Sequence, residues 1–306
     1  MRLCQCLGSA TKYTFYGVIA ILLWSTVTAL IRDLSELFSP IAGAAMMYTV
    51  SALFLMSVMG IPKIKDYPKR YLFIGGGLFV TYEICLALSL GMANSRLQAM
   101  EMSIINYLWP ALTILLSVII SRNKVNVLVY PSVLLAFTGV AWCIAGDQGI
   151  SLSLLLSNIS DNPLTYSMAF SAAFIWAIYC VVTQKISNGK NAITLFFSAT
   201  ATTLWIQYFL SNEPSLHFTL PSTFTLLLAG MVIGTGYALW NQAIIGGNII
   251  LLGTLSYFTP VFSTMFASVY LSISLTGSFW QGVALVTLGS LICFLVTRTK
   301  KPSLSH

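Results

Sequence analysis

The sequence predicts an all-α integral membrane protein of ten transmembrane helices, built as two inverted five-helix repeats. Three observations lead there. Of 306 residues, 57% are hydrophobic and only 8% charged, where a soluble domain carries about a quarter charged. So few polar groups could not cover a water-facing surface, which places the chain in a bilayer. Its apolar residues fall into ten windows, each near the ~20 residues that a spanning helix needs. Finally, lysine and arginine crowd into alternate connections.

The first window, 13–31, follows Arg2 and Lys12. It is too long for a signal-peptide core and no small-residue cleavage site follows it, so it reads as a retained first span. "RDLSELFSP" separates it from the second, 41–60, and "PKIKDYPKR" separates that from the third, 71–91. The fourth, 97–120, and the fifth, 127–146, are divided by "SRNKVN". A longer polar stretch, 147–163, ending in "SNISDNP", leads to the sixth, 164–184, and a short one to the seventh, 192–210. "SNEPSLHF" precedes the eighth, 222–243; the ninth, 248–272, and the tenth, 278–297, complete the set. Pro40, Pro163 and Pro221 sit at helix starts, where a missing N–H costs little.

Placing the N-terminus in the cytoplasm puts 13 of the 15 basic residues inside and leaves only Arg32 and Arg96 outside. The positive-inside rule accounts for this bias, and both termini are expected to be cytoplasmic. It also explains the net charge of +7 without a nucleic-acid partner.

"NYLWPALTILLS" (106–117) and "SYFTPVFSTMFAS" (256–268) each place aromatics before a proline, at an offset of 150 residues. "GGGLFVTYEICLALSLG" (75–91) and "GMVIGTGYALWNQAIIG" (230–246) share an outline of glycines, a tyrosine and a small-residue tail. A duplication follows, with segments 1–12 (cytoplasmic N-terminus), 13–147 (first repeat), 148–298 (second repeat) and 299–306 (cytoplasmic tail). Five spans per half is an odd number, so the second half must enter the membrane upside down, a transporter device with substrate held near the midplane.

Pro110 and Pro260 fall near the middle of their spans. A mid-helix proline costs roughly 3 kcal/mol unless the freed carbonyls find partners, and in lipid these must be buried or line a cavity. A matched pair suggests a kink that shapes a pathway; a kink that eases packing is the other reading. Met102, Asn106, Trp109 and Thr113 share one face of the fourth span, and Trp176, Tyr179 and Thr183 one face of the sixth. Tyr237, Trp240 and Asn241 cluster on the eighth, and Tyr82 and Glu83 lie within the third. Mid-span rings beside amides and hydroxyls suit a pocket that stacks flat substrates, or a structural core. Trp205 and Trp280, near span ends, fit the interfacial belt.

Glu83 and Glu101 are the carboxylates well within predicted spans. A charge at the bilayer centre costs a few kcal/mol, so such a group faces a cavity or stays protonated. Glu83 is the deeper candidate, for substrate amine contact or proton coupling, against a neutral acid bonded to a neighbouring helix. Glu101 is expected nearer the outer surface, paired with Arg96. Gly75, Gly76, Gly77, Gly230, Gly234 and Gly236 read as sites of close helix contact. Cys85, Cys143, Cys180 and Cys293 act as small hydrophobes, and Cys4 and Cys6 as parts of an inert terminus. No phosphate loop, metal cluster or Ser/His/Asp set is evident, so neither a cofactor, a metal nor an enzyme activity is expected. A channel would want rings of charge or repeated carbonyl loops, and these are missing too.

With "LLWSTVTALIRDLSE", "TYEICLALSLG", "NYLWPALTILL", "AFIWAIYC" and "SYFTPVFS" in place, the chain from about 14 to 298 resembles the drug/metabolite transporter superfamily, whose halves are EamA-type repeats. Within it the likeness is to bacterial aromatic amino acid exporters. The resemblance implies an inner-membrane exporter of Phe, Tyr and Trp, with other amino acids or flat cationic toxins as further cargo. It implies a central cavity between the halves, lined here by Tyr82, Tyr107, Trp109 and Trp176, with Trp24 a further candidate. The alternative is broad efflux of planar or cationic drugs. The partners expected are a small-molecule substrate and the lipid bilayer; the sequence sets no oligomeric state, and a monomer is compatible with it.

Overall fold

The computed structural model describes residues 2–121, 127–145, 152–247, 252 and 255–297. Much of the predicted ninth span before 255, the charged turn 122–126 and the tail from 298 lie outside the described residues, as do the side chains of Cys4 and Cys6. The helices are α1 (Arg2–Trp24), α2 (Val27–Phe38), α3 (Pro40–Met59), α4 (Gly76–Gly91), α5 (Arg96–Asn106), α6 (Trp109–Ser121) and α7 (Val129–Ala145). They continue with α8 (Leu152–Asp161), α9 (Pro163–Ile186), α10 (Ile193–Leu210), α11 (Leu220–Gly246), α12 (Thr259–Tyr270) and α13 (Gly277–Thr297). A π-helical turn, Tyr71–Gly75, leads into α4.

Among the described residues, six helical stretches are long and apolar enough to cross a membrane: Thr11–Phe38, Pro40–Met59, Tyr71–Gly91, Pro163–Ile186, Ile193–Leu210 and Leu220–Gly246. Large apolar side chains such as Leu53, Val58, Phe73, Leu210 and Phe224 are exposed on their outer faces. Water would not tolerate such a girdle but hydrocarbon does; the chain is a multi-pass membrane protein.

The structure departs from the sequence expectation at four places. Residues 32–38, expected as a loop, continue helical in α2, because Arg32 and Glu36 face each other one turn apart at 2.7 Å. The chain turns only at Ser39, with φ +105°. Within the predicted 147–163 connection, Leu152–Asp161 forms the short helix α8. The first span is broken at Ser25–Thr26, where Ser25 Oγ donates to the Ile21 carbonyl at 2.9 Å and Thr26 Oγ1 to that of Leu23 at 2.7 Å. Such hydroxyls compete with the backbone ladder.

The fourth difference concerns the prolines. Neither Pro110 nor Pro260 kinks a continuous helix. The fourth span stops at Asn106 and restarts at Trp109, and the ninth turns at Tyr257–Phe258 before α12 starts at Thr259. Each proline is thus the second residue of a new helix, where its absent N–H is not needed. A proline ring clashes with the carbonyl four residues back, at Asn106 and Ser256, which a continuous helix would not relieve.

Helix packing pairs the chain's two parts. α3 packs on α10, α7 on α13, α4 on α9, and α1 on α11. Small residues bring the backbones together. A Cβ at Gly139 would lie 2.6 Å from the Val286 nitrogen and 2.7 Å from the Gly282 carbonyl oxygen. A Cβ at Gly230 would strike Val50 at 2.5 Å, and Ser51 Oγ donates to the Gly230 carbonyl at 2.8 Å. A Cβ at Gly76 would come within 3.1 Å of the Phe196 ring.

The segments 32–39, 92–96, 161–162, 211–213 and 270–271 meet at one end of the bundle. Arg96 Nη2 reaches Glu36 Oε2 at 2.6 Å and Arg96 Nη1 donates to the Leu271 carbonyl at 2.8 Å. Tyr270 OH donates to Asp33 at 2.9 Å, and Asn94 Nδ2 to Asp161 at 2.8 Å. Glu213 accepts from Ser39 Oγ (2.7 Å) and from the backbone nitrogens of Ile41 (2.9 Å) and Ala42 (3.0 Å). Its carboxylate thereby satisfies orphan donors at the start of α3.

Candidate functional site

The breaks after Trp24 and after Asn106, and the one before Thr259, face one another at the centre of the bundle. They open a cavity lined by Trp24, Val27, Thr28, Tyr82, Leu86, Leu90, Ser103, Asn106, Tyr107, Trp109, Trp176, Tyr237 and Thr259. The helix ends position these side chains: Trp24 closes α1, Asn106 closes α5, Trp109 opens α6 and Thr259 opens α12.

Aromatic rings dominate the wall. Tyr82 of α4 stacks on Trp176 of α9 with centroids 4.5 Å apart and planes at 28°. Trp24 of α1 meets Tyr237 of α11 at 5.0 Å. The two pairs touch: Trp24 and Trp176 meet edge-on at 5.9 Å, and the Tyr237 hydroxyl donates to that of Tyr82 at 3.3 Å. Trp109 stands edge-on to Trp176 at 6.4 Å. These are the offset and T-shaped distances that ring quadrupoles favour.

The rings leave a cavity volume of about 30 Å³. That is room for about two waters, whereas benzene is held by a cavity of about 150 Å³. A substrate ring therefore enters only when the aromatic pairs separate.

Seven of the residues singled out from sequence meet here: Trp24, Tyr82, Asn106, Tyr107, Trp109, Trp176 and Tyr237. Four others sit behind the wall. Tyr179 stacks under Trp176 at 4.9 Å and donates to Asn241 Oδ1 at 3.1 Å; Asn241 in turn donates to Asn191 at 3.2 Å. Trp240 packs on Trp24 at 4.8 Å and on Trp109 at 6.0 Å. Glu83, 1% exposed, does not line the cavity; it accepts from Tyr48 OH of α3 at 2.6 Å and lies beside the hydroxyl of the lining residue Tyr237. Met102 and Thr113 do not join the wall; Thr113 Oγ1 donates to the Trp109 carbonyl at 2.7 Å.

Glu101 is not paired with Arg96. It accepts a hydrogen bond from Tyr166 of α9, while Arg96 turns to Glu36. Five residues along a helix is about 140° of rotation, so the two side chains leave α5 on different faces.

Sequence reasoning missed Val27, Thr28, Leu86, Leu90, Ser103 and Thr259. Small hydroxyls and leucines are common in any span and carry no local signal. Thr259 was findable, because it stands in the place that Trp109 holds 150 residues earlier.

Comparison with known proteins agrees with this architecture. Residues 11–145 and 163–295 each match the EamA-like transporter family. The chain is 47% identical over 292 residues to the aromatic amino acid exporter YddG of Salmonella typhimurium (strain 14028s / SGSC 2262), covering 95% of this chain and all of that protein. It is also 47% identical over 287 residues to the protein of the same name from Escherichia coli (strain K12), covering 94% of this chain and 98% of that one. A solved crystal structure superposes with a TM-score of 0.68 over 94% of this chain and 98% of its own, at 22% identity, which speaks for the fold alone. The matched family consists of transporters rather than enzymes, and a paired match of this extent leaves one conclusion: the chain belongs to the EamA-like transporter family.

Proposed function

We propose that this protein exports aromatic amino acids (Phe, Tyr, Trp) by alternating access through the central cavity. The observation that carries the reading is the cavity wall itself, two touching Trp–Tyr pairs drawn from four different helices. Rings so placed stack on a flat substrate, and relatives named as aromatic amino acid exporters match nearly the whole chain.

Ten spans in two inverted halves, 13–147 and 148–298, fit the packing. Exchanging each span with the one five places on maps the α4–α9 contact onto α11–α1 and leaves α3–α10 and α7–α13 in place. The same exchange pairs Trp24 with Trp176, Tyr82 with Tyr237, Pro110 with Pro260 and Cys143 with Cys293. A pathway so built has two equivalent ways to open, which is what alternating access needs. The 13-to-2 charge bias supports cytoplasmic termini and an inner-membrane location, with export running toward the end that carries Glu36 and Arg96.

Broad efflux of cationic drugs is the weaker reading. Among the described residues no charged side chain lines the cavity, and Glu83 bonds Tyr48 behind the Tyr82 and Trp176 wall. An amino acid zwitterion, neutral overall, suits such a wall better than an unpaired cation.

Labelled phenylalanine transport by the full chain in proteoliposomes tests the reading. Trp109→Ala and Trp176→Ala should each lower apparent affinity about tenfold, the scale of one or two lost ring contacts. Unchanged transport in both variants would overturn the stacking role.

A further inference from the structure

Three side chains on the cavity wall carry a polar atom left unpaired by the fold: Asn106, Thr259 and Trp24. Asn106, 6% exposed, has an Oδ1 without a partner, and Thr259, 2% exposed, a hydroxyl without one. The neighbouring hydroxyls are engaged: Thr28 bonds Ser103 at 2.7 Å and Ser263 at 3.3 Å, and Tyr237 bonds Tyr82. The Trp24 Nε1 is also unpartnered, but it lies against Gly236 of α11, where a Cβ would come within 3.2 Å. Leaving a buried donor or acceptor unmade is unfavourable, so the other two call for a ligand that completes them.

Their chemistry and placement differ in sign. Asn106 is the last residue of α5, at the negative end of that helix's dipole. Its amide lies beside the Tyr82 hydroxyl, and its carbonyl oxygen is the atom left without a partner and able to accept. Thr259 is the first residue of α12, at a positive end, and its hydroxyl can donate.

We propose that the site reads both charged ends of its amino acid: the α-carboxylate on the Thr259 hydroxyl at the start of α12, and the α-ammonium on Asn106 Oδ1 at the end of α5. The substrate ring then lies among Tyr82, Trp109 and Trp176. This rests on the reading above that the cavity is the transport site. It makes Asn106 and Thr259 specificity determinants: a molecule lacking either end leaves one of them unpaired, and a site built on hydrogen bonds rejects such analogues strongly. Neutral end-groups also let a zwitterion cross without burying a net charge.

The test is displacement of labelled phenylalanine from reconstituted full-length protein by three competitors: phenylalanine, 2-phenylethylamine (no carboxylate) and 3-phenylpropionate (no ammonium). Phenylalanine should compete at least about tenfold better than either analogue. Thr259→Val should weaken phenylalanine about tenfold and leave 2-phenylethylamine unchanged, with Thr259→Ser restoring the wild-type value. Asn106→Leu should do the same relative to 3-phenylpropionate. An analogue that competes as well as phenylalanine against the wild type, or a Thr259→Val variant that loses both ligands equally, overturns the proposal. If Thr259→Val does not reconstitute, the wild-type panel decides alone. A wild type that moves no labelled phenylalanine refutes the transport reading instead, so the two failures are distinct.

Discussion

Replacing Glu36 by glutamine should loosen the end of the bundle at which α2, α5 and α12 meet. One carboxylate there serves two arginines: Arg32 Nε at 2.7 Å and Arg96 Nη2 at 2.6 Å, with Arg96 Nε bonded to both oxygens at 3.1 and 3.2 Å. Arg96 also ties α5 to the Leu271 carbonyl, and Arg32 donates to the Ala93 carbonyl at 2.6 Å. The Arg96 side chain is 44% exposed and that of Glu36 29%, so each pair contributes only about 0.2–1 kcal/mol. Arg32 shares α2 with Glu36, so only the Arg96 pair joins two helices; it holds the closed arrangement by about 0.2–1 kcal/mol, which is a factor of about 1.4 to 5 in an opening equilibrium. The isosteric change removes the charge and little else. If this end must part for substrate to leave, a Ser103→Cys reporter on the cavity wall should react faster with a water-soluble maleimide by that factor. Peptide mass spectrometry reads the rate at that position alone. High salt should narrow the difference, since these charges are partly screened already. An unchanged labelling rate in Glu36→Gln would refute the reasoning, because the latch would then carry no part of closure.

Further outcomes follow from the packing. Glu83→Leu leaves the fully buried Tyr48 hydroxyl only its long 3.4 Å bond to the residue-83 backbone carbonyl and should destabilise the protein by about 1 kcal/mol, whereas Glu83→Gln keeps a side-chain acceptor and should unfold near the wild-type temperature. The Gln variant should leave the response of transport to a pH gradient unaltered, since Glu83 does not line the cavity; an altered response would assign it a proton-coupling role instead. Gly139→Ala places a methyl 2.6 Å from backbone in α13, forcing the helices apart at a cost of about 1–3 kcal/mol. Gly77→Ala meets nothing within 4 Å and should instead stabilise by about 0.5–1 kcal/mol, both read from thermal unfolding of the purified chain.

Several features were legible because their cause is local. Pro110 and Pro260 announced interruptions, since a proline's missing N–H acts wherever the residue stands; only the form of the interruption, a stop and restart, needed the structure. Trp24, Tyr82, Trp109 and Trp176 were visible as mid-span rings. The break at Ser25–Thr26 was not, because most Ser and Thr in spans bond a carbonyl without breaking the helix: Thr49, Ser51 and Thr200 do so inside intact helices. Arg96 had two carboxylates within reach of a guess, and the choice of Glu36 over Glu101 depended on how α2 lies against α5.

Composition and hydropathy by themselves determined that this chain lives in a bilayer, and its paired motifs that it has two related parts. Those properties follow from single residues and their spacing, which any conformation of the chain shares. Only the tertiary structure decided which rings form a wall and which back it, leaving Tyr179 and Trp240 behind Trp176 and Trp24. It also brought Asn106 and Thr259, 153 positions apart in the sequence, to one cavity with their polar atoms unpaired. Whether a buried polar group is satisfied depends on every helix packed around it, and no one segment carries that information.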